Sequence, residues 1–296
     1  MIGGDADPMA DVTAMAADGG VDLRPVETAA GHHEVAALFR AVWQASDDAG
    51  PVGAGTMRAA QHVGAYVVGA HAVDRSDPLA PSRPSRPGDA AGRMVGASFG
   101  FHGSDGHLHS HVTGIHPDWQ GLGLGRILKL HQRAWCLERG VETITWTFDP
   151  LVRRNAWFNL RSLGAEVTEY LPSFYGPMTD GINAGDDTDR AFVVWRLPSR
   201  RVRRAITRRT EAEVVGDDAP AVVAKVDGVP VARLTGPDVP AVRVALPADI
   251  EAIRTSDHEL ALSWRRVVRE AIVPRLAAGW RITTITTDGS YLLEAP

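Results

Sequence analysis

The sequence is poor in cysteine and in long apolar stretches. Its 296 residues contain a single cysteine, Cys136, which excludes an intramolecular disulfide bond and gives no support to a thiolate metal site. Such sparse cysteine use is typical of a reducing compartment, so we predict a cytoplasmic protein. No apolar run reaches the length of about 18 residues that a transmembrane helix needs, and we predict no membrane partner.

An excess of positive charge is missing as well. The 31 basic and 36 acidic residues give a net charge of −5, so the chain offers no overall positive field to nucleic acid or an anionic membrane. Six arginines between residues 200 and 209 form a basic run. Because no cluster of aromatic residues accompanies it, we interpret this run as a solvated linker that contacts the acidic residues after it, and we predict no nucleic-acid partner.

The first 20 residues lack both features of a secretory signal, a basic start and an apolar middle. They contain four aspartates and neither lysine nor arginine. We therefore predict a disordered N-terminal tail over residues 1–20, with the first ordered element beginning at Val21.

From Val21 onward, hydrophobic periodicity predicts alternating strands and helices. The expected order β-α-α-β-β-β-α-β-α-β-β predicts a mixed sheet with helices on its faces, an α/β fold of the α+β type. After residue 198 we predict short strands over 211–256, a helix over 258–271 and a closing hairpin over 280–294. The earlier strands are expected at 21–26, 65–73, 93–101, 107–115, 142–148, 166–170 and 191–197, and the earlier helices at 33–44, 56–62, 123–139 and 155–163.

The most specific local signal is a glycine-rich stretch between a predicted strand and a predicted helix. It reads Gln120-Gly121-Leu122-Gly123-Leu124-Gly125-Arg126. Glycines let the backbone turn tightly and approach a ligand, and the free N–H groups of the next helix attract an anion, best a phosphate. The spacing does not fit the dinucleotide pattern G-x-G-x-x-G, and no Gly-Lys-Ser/Thr triplet forms a Walker loop. A glycine-rich turn without a ligand is the remaining alternative.

This stretch contains the pattern Q-x-x-G-x-G, which resembles the pyrophosphate loop of the GNAT superfamily. The upstream segment that begins at Ile115 is similar to the one that binds the pantetheine arm of coenzyme A in that superfamily. The resemblance implies acetyl-CoA or another acyl-CoA as co-substrate, and no metal. The residues it assigns to the coenzyme are Ile115, Gln120, Gly121, Leu122, Gly123, Leu124, Gly125 and Arg126, together with Asn155 further along the chain.

Other motifs are similar to one branch of the superfamily, the predicted acyltransferases with a C-terminal extension. They are His109-Ser-His, Trp146-Thr-Phe-Asp-Pro, Asn155-Ala-Trp-Phe-Asn159-Leu, Tyr175-Gly, Asp189-Arg and Leu262-Ser-Trp-Arg. The resemblance implies a GNAT-like mixed, mostly antiparallel sheet flanked by helices. It also implies an acyl-CoA-binding catalytic domain over residues 21–198 and a small α/β C-terminal extension over residues 199–296.

One position departs from the superfamily pattern. Many members carry a tyrosine four residues before the glycine that ends the second motif helix, where it protonates the departing thiolate. The corresponding residue here is Leu160. Tyr175 or a bound water is therefore the candidate general acid.

Three histidines alternate along a predicted strand, so we expect His107, His109 and His111 on one of its faces. Imidazole titrates in the range needed to deprotonate an ammonium group, so His109 or His111 is a candidate general base and His107 a candidate substrate contact. Two other interpretations stay open: hydrogen-bonded wall residues, or a metal site that His116 completes.

Four further residues are candidates for substrate binding, most of them with a structural alternative. Trp146 lines a pocket or fills the core, and Asp149 holds a substrate ammonium group or caps a helix. Arg190 binds a carboxylate or forms a surface salt bridge. Asn159 belongs to one of the motifs above. The polar loop residues grouped with Arg190 are Asp180, Asn183 and Asp189.

Together these observations predict an N-acyltransferase that moves an acetyl, succinyl or other short acyl group from coenzyme A to the amino group of a small molecule such as an amino acid. Transfer is expected to be direct, in a ternary complex, with backbone N–H groups near Ile115 stabilising the oxyanion. Two other classes stay open: a non-catalytic acyl-CoA sensor and a histidine-metal enzyme. The expected partners are the amine and a second copy of the chain in a homodimer.

Overall fold

The computed structural model describes residues 7–45, 50–73, 92–176, 186–207, 216, 218–236 and 239–296. It divides into two compact units, Met1–Ile144 and Thr145–Pro296. Within the described ranges, every helix is too short or too polar to cross a membrane.

The first unit is built on four strands, each antiparallel to its neighbour. Its elements in chain order are α1 (Pro8–Asp18), β1 (Val21–Pro25), α2 (Ala29–Trp43), α3 (Ala54–His62), β2 (Tyr66–Ala72), β3 (Met94–His102), β4 (Leu108–Ile115) and α4 (Leu124–Glu138). The strands lie side by side in the order in which they occur along the chain. The predicted mixed, mostly antiparallel sheet flanked by helices is therefore confirmed.

Helices cover both faces of this sheet. A Cβ atom added to Gly96 on β3 would lie 3.2 Å from Leu124 of α4. The next residue of β3, Ala97, points the other way into a core that includes Phe39 of α2 and Met57 of α3. The approach of α2 to β4 is close, because a Cβ atom at Gly114 would lie 2.8 Å from the Phe39 ring. Glycine is therefore required at position 114.

The prediction of a disordered N-terminal tail is wrong for residues 8–18, which form α1. Asp7 caps the helix by accepting a hydrogen bond of 2.9 Å from the N–H of Met9. Val12 and Ala16, one helical turn apart, are 1% and 2% exposed. The four aspartates of residues 1–20 led to the prediction of a disordered tail, but the buried apolar pair Val12 and Ala16 stabilises a helix. Residues 1–6 lie outside the described residues.

The second unit contains the remaining strands and helices. They are β5 (Thr143–Phe148, which begins two residues before the unit), α5 (Arg153–Ala156), β6 (Glu166–Leu171), β7 (Arg190–Arg196), α6 (Arg200–Thr207), β8 (Ala221–Val226), β9 (Val229–Ala232), β10 (Ala241–Ala245), α7 (Ile250–Ser256), α8 (His258–Ala277), β11 (Arg281–Ile285) and β12 (Ser290–Glu294). The spatial order of the strands is β5–β7–β6–β11–β12–β10–β8–β9. A π-helical turn, Trp157–Ser162, continues α5.

The sequence places a domain boundary after residue 198, but the sheet of the second unit runs through it. Strand β6, before that boundary, pairs with β7 on one side and with β11, after the boundary, on the other. The partners in the second case are Val167 and Ile282, both fully buried. The C-terminal extension therefore completes a shared sheet and is not a separately packed body within this unit.

The interpretation of the arginine run as a linker is wrong for residues 200–207, which form α6, whereas Arg200, Arg203 and Arg204 are exposed as a solvated face requires. Val202 is 1% exposed in this helix. Arg201 donates from Nε to the carbonyl oxygen of Gly164 at 3.0 Å and also donates to the carbonyl of Thr283. Residues 208–215 and 217, which include most of the acidic partners expected for this run, lie outside the described residues.

Most of the predicted elements match the structure to within about two residues at each end. The prediction of short strands is wrong for residues 250–256, which form α7 with Asp249 as its N-terminal cap. The largest shift of an element's end is at α8, which extends from the predicted end at residue 271 to Ala277 and passes through Pro274. Trp264, Val268 and Ile272 on its buried face are fully covered, so packing stabilises the helix beyond the point at which proline favours an end.

Candidate functional site

The glycine-rich stretch forms an open loop at the start of α4. Gly121 and Gly123 have φ angles of +75° and +82°, which side chains other than glycine rarely adopt. A Cβ atom added to Gly121, Gly123 or Gly125 would meet no atom of the described residues within 4 Å. These glycines therefore shape the backbone and leave space beside it, rather than allowing close packing against another part of the chain.

The backbone N–H groups of residues 121–125 make no hydrogen bond within the described part of the chain. The first N–H groups of α4 that find a partner are those of Arg126 and Ile127, which both donate to the carbonyl oxygen of Gly123. No side chain caps this helix end. Five successive N–H groups and the positive end of the helix dipole are thus available to an anion such as a pyrophosphate.

The turn before the loop is held by short-range hydrogen bonds. Gln120 donates from Nε2 to the carbonyl oxygen of Ile115 at 3.2 Å, and the N–H of Trp119 donates to the carbonyl oxygen of His116 at 2.8 Å. Trp119 itself is 3% exposed. The N–H of His116 donates to Val95 at 2.9 Å, so it is not available to an oxyanion. Gln120 acts here as a link between strand and loop.

A β-bulge in β4 decides which way its polar side chains point. Phe99 pairs with Val112 and Gly100 pairs with Ser110, so His111 is the extra residue. Val112 lies in the core beside α2, whereas the Ser110 hydroxyl accepts a hydrogen bond from Lys129 of α4. Residues 110 and 112 would share one face of a regular strand. The bulge places them on opposite faces of the sheet, because the extra residue reverses the side to which the preceding side chains point.

His109 and His111 lie side by side on β4, with ring centroids 6.4 Å apart. The ring centroids of His109 and His111 lie 5.4 and 5.8 Å from the ring centroid of Phe101. His111 donates from Nε2 to the carbonyl oxygen of Pro51 at 3.2 Å, because a carbonyl can only accept. This hydrogen bond selects the tautomer in which Nδ1 of His111 keeps its lone pair.

The electrostatic environment makes His109 a weak base. Burial, followed by the charges of His111, His107 and Lys129, lowers the pKa of His109 to about 4. His107 precedes β4, and its ring pairs with the carboxylate of Asp105. The described residues contain no group of three or more His, Cys, Asp or Glu placed to hold a metal ion, so the histidine-metal alternative gains no support.

The sequence reasoning missed a buried polar cluster beneath β4. Lys129 is 6% exposed and donates from Nζ to the Ser110 hydroxyl at 2.7 Å and to the side-chain oxygen of Gln132 at 3.4 Å. Burial lowers the pKa of Lys129 to about 7. The available signal was the position of Lys129 and Gln132 on the helical face that also carries buried Cys136.

Cys136 is a packing residue. It is fully buried, and burial raises the pKa of its thiol to about 12. A thiol that stays protonated at neutral pH is a poor nucleophile. The expectation that Cys136 packs in the helix and forms no acyl-enzyme intermediate is consistent with this environment.

Several candidate substrate residues of the second unit have structural roles. Trp146 is 6% exposed and packs edge-to-face on Trp195 at 5.9 Å, so it fills the core. Asn159 is 4% exposed on the π-helical turn, and its carbonyl oxygen accepts from the N–H of Ala165. Leu160 is buried beside it, at 2% exposure. Asn155 is exposed on α5.

Asp149 is not a counter-ion that waits for a substrate ammonium group. Its carboxylate pairs with Arg265 at 2.9 Å and with Arg254 at 2.5 Å, and it accepts from the N–H of Leu151 at 2.9 Å. Asp186 pairs with the same two arginines. Burial raises the pKa of Asp149, but the charges of Arg265 and Arg254 outweigh burial and lower it to about 2. The predicted substrate role for Asp149 is therefore wrong.

Tyr175 and Arg190 lie together. The guanidinium carbon of Arg190 is 5.1 Å from the centroid of the Tyr175 ring, and Tyr175 is 45% exposed. Asp189 is fully buried and accepts hydrogen bonds from Tyr170, Ser173 and Arg269. The predicted loop residues Asp180 and Asn183 lie outside the described residues.

No protein-family model and no curated protein sequence matches the chain. Solved structures do match. The ribosomal-protein-S18-alanine N-acetyltransferase from Escherichia coli is 17% identical with a TM-score of 0.43, over 60% of this chain and 94% of that chain. The GNAT-superfamily phosphinothricin acetyltransferase from Sinorhizobium meliloti, in complex with AcCoA, is 16% identical with a TM-score of 0.43, over 59% and 87%. An N-acetyltransferase from Staphylococcus aureus Mu50 is 10% identical with a TM-score of 0.44, over 60% and 98%.

All three matching structures are acetyltransferases, and the phosphinothricin acetyltransferase belongs to the GNAT superfamily, which the sequence motifs also resemble. The identities do not exceed 17% and the TM-scores lie below 0.5 in all three cases. Similarity of this degree concerns the fold alone. A functional proposal for this protein therefore rests on its own residues and backbone geometry.

Proposed function

We propose that the protein is an acyl-CoA-dependent N-acyltransferase that acts on the amino group of a small molecule. The observation that carries this proposal is the row of five successive backbone N–H groups, residues 121–125, without a partner in the described chain. Open space lies beside the glycines of the same loop. A diphosphate fits such a site because it offers several acceptor oxygens and negative charge to one helix start.

The residues around the loop suggest how the coenzyme is held. The pyrophosphate binds the N–H groups of residues 121–125, and Arg126 adds a positive charge to the first turn of α4. The pantetheine arm follows the edge of β4 near Ile115. Acyl-CoA supplies an activated acyl group as a thioester, so the reaction needs no metal ion.

The histidines of β4 supply the proton acceptor. An alkyl ammonium group cannot attack a thioester until it loses a proton. His111 is the stronger candidate, because its hydrogen bond to Pro51 leaves Nδ1 able to accept. With a pKa of about 4, His109 accepts a proton from an ammonium group poorly. His107 is occupied by Asp105 and remains a substrate contact at most.

The transfer itself is balanced by proton movements. The neutral amine attacks the thioester carbonyl, the tetrahedral intermediate collapses, and the carbon–sulfur bond breaks. His111 first passes the proton of the ammonium group to solvent and then accepts the remaining extra proton of the nitrogen, and the thiolate of coenzyme A gains a proton from water. The acid role predicted for Tyr175 stays a prediction. Direct transfer is favoured because Cys136 is buried with a pKa of about 12.

A charge placed in the loop tests the coenzyme site. Gly123→Glu puts a carboxylate where the pyrophosphate binds, and we expect affinity for acetyl-CoA to fall by roughly 100-fold or more. Gly140→Glu is the matched control, because Gly140 also has positive φ (+68°) and no neighbour within 4 Å, but lies beyond the other end of α4. Calorimetric titration measures both. Equal affinity of the two variants would contradict the loop assignment.

Replacement of the histidines tests the base. We expect His111→Ala to lower kcat by roughly 100-fold or more while acetyl-CoA affinity stays unchanged, since general bases contribute on this scale. The loss should shrink at high pH, where the amine is already neutral. His62→Ala, at an exposed position on α3, is the control. Full activity of His111→Ala with a flat pH profile would mean that His111 is a wall residue and not the base.

A second function is favoured by one observation. The position of the usual acid is occupied by Leu160, which is 2% exposed and cannot move a proton. A non-catalytic acyl-CoA sensor would keep the loop and lose this residue. Thiol release from acetyl-CoA, measured with a panel of small amines, separates the two functions. Binding without turnover across the panel favours the sensor.

A further inference from the structure

Four arginines of the second unit lie close to an acidic segment, and one of them differs from the rest. Arg254 and Arg265 each pair with Asp149 and Asp186, and Arg269 pairs with Asp187 and Asp189. Arg190 has no carboxylate within ion-pair distance among the described residues. Its guanidinium donates from Nη1 to the backbone carbonyl of Asp189 at 2.9 Å and stacks on Tyr175.

The surroundings hold Arg190 in place. Thr188 donates to the carbonyl oxygen of Gly176 and accepts from the N–H of Tyr175, which ties the turn carrying Tyr175 to the start of β7. Asp189, the residue before Arg190, is anchored on its other side by Tyr170 and Arg269. The guanidinium and the ring beneath it are therefore presented by a pinned backbone rather than by an isolated surface side chain.

The charge of Arg190 is partly removed from water without a direct counter-ion. Burial lowers its pKa, and the more distant charge of Asp149 acts in the opposite direction. A guanidinium that is half-buried and has only one backbone acceptor keeps several N–H donors available. A planar carboxylate is the ligand that matches two of these donors at once.

Exposed aromatic rings adjoin this cation. Phe174 and Tyr175 are 49% and 45% exposed and pack edge-to-face, with ring centroids 4.8 Å apart. They offer apolar area for the body of a ligand whose charged end reaches Arg190. Phosphate dianions fit less well, because the site has one cation and acidic residues at positions 186, 187 and 189.

We propose that Arg190 and Tyr175 form a binding site for a small carboxylate that carries an aromatic or alkyl body. The guanidinium of Arg190 binds the carboxylate through two parallel hydrogen bonds, and the rings of Tyr175 and Phe174 contact the apolar body. This site does not depend on acyl transfer.

The test compares two ligands that differ only in charge, phenylacetate and phenylacetamide, by NMR titration of the full-length protein. We expect the wild type to bind phenylacetate at least roughly tenfold more tightly than phenylacetamide, in line with a charge-assisted hydrogen bond. Arg190→Ala should abolish this preference, and Arg190→Lys should restore only part of it, since lysine lacks the planar fork. No preference in the wild type, or an unchanged preference in Arg190→Ala, overturns the proposal.

Two further variants serve as controls. Arg196→Ala removes an exposed arginine from the same strand, where it pairs with Glu166, and it should leave the preference intact. Tyr175→Phe keeps the ring under Arg190 and should also retain binding, whereas Tyr175→Ala should weaken it. Loss of the preference in Arg196→Ala would mean that general charge, not Arg190, recruits the ligand.

The same variants separate this proposal from acyl transfer. Carboxylate binding that depends on Arg190, without turnover of any amine, would support the carboxylate site and contradict the proposed function. Turnover of both phenylalanine and phenylalaninamide with equal kcat/KM, together with no phenylacetate binding, would support the proposed function and contradict the carboxylate site.

Discussion

The two units bury charge in opposite ways. In the first unit, Lys129 donates to the neutral hydroxyl of Ser110 and to the side-chain oxygen of Gln132, and burial lowers its pKa to about 7. In the second unit, Asp149 and Asp186 face Arg254 and Arg265, and the opposite charges keep the pKa of Asp149 at about 2 despite burial. Opposite charges lower the pKa of a buried carboxyl group, whereas burial lowers the pKa of a lysine toward neutral pH.

This difference has a structural meaning. The four-charge cluster joins Asp149 after β5, Asp186 before β7, and arginines from α7 and α8. Its members lie up to 116 residues apart in the chain, so the cluster fixes distant segments relative to each other within the second unit. The hydrogen bond from Lys129 to Ser110 joins α4 to β4. Its protonation changes the stability of one helix–sheet contact.

Breaking the paired cluster should have the largest effect. Arg265→Met leaves two buried carboxylates facing one arginine, and we expect the free energy of unfolding to fall by about 3–5 kcal/mol. Arg266→Met, at the exposed neighbouring position, should change it by less than about 0.5 kcal/mol. Urea denaturation of both variants measures the difference. A loss below about 1 kcal/mol in Arg265→Met would mean that the pairs contribute little.

Removing the buried amine of Lys129 should change how the free energy of unfolding depends on pH. The folded pKa of Lys129, about 7, lies below its unfolded value of 10.5, so the unfolded chain binds more protons between these values. The free energy of unfolding of the wild type, relative to Lys129→Met, should therefore rise with pH across this window. The expected slope is at most about 1.4 kcal/mol per pH unit. Parallel stability curves from pH 6 to 10 would refute the lowered pKa.

The smallest effect is expected from the partner of Lys129. Ser110→Ala removes one acceptor of the buried amine and should cost about 1–2 kcal/mol, more at pH 6, where the amine is charged, than at pH 9. Ser98→Ala is the control, because Ser98 shares a hydrogen bond of 2.8 Å with the neutral hydroxyl of Thr113. Denaturation at both pH values should show a pH-dependent loss for Ser110→Ala alone.

Much of the fold could be predicted because its signals are local. Alternation in β4 and helical spacing in α4 follow from positions a few residues apart, and the glycines of residues 121–125 predict the tight loop between them. The prediction failed at α1, where composition hid a capped helix with two buried positions. The domain boundary at residue 198 stays a prediction, and the pairing of β6 with β11 across it has no local signature.

The candidate site was predictable only in part. The loop and the row of histidines could be identified from spacing. The tautomer of His111 depends on Pro51, a residue 60 positions away, and the pKa of His109 depends on burial that only packing creates. The role of Asp149 was misjudged because its arginine partners come from α7 and α8, more than 100 residues later.

The sequence by itself determined the order of strands and helices between residues 21 and 197, the glycine loop and the resemblance to the GNAT superfamily, since each depends on neighbouring residues and their backbone preferences. Tertiary structure decided which polar groups meet. It turned Ser110 toward Lys129 through the bulge at His111, placed Asp149 between two arginines and left Arg190 without a carboxylate partner among the described residues. The physical reason is that burial and charge pairing act through space, across separations in the chain that no local pattern records.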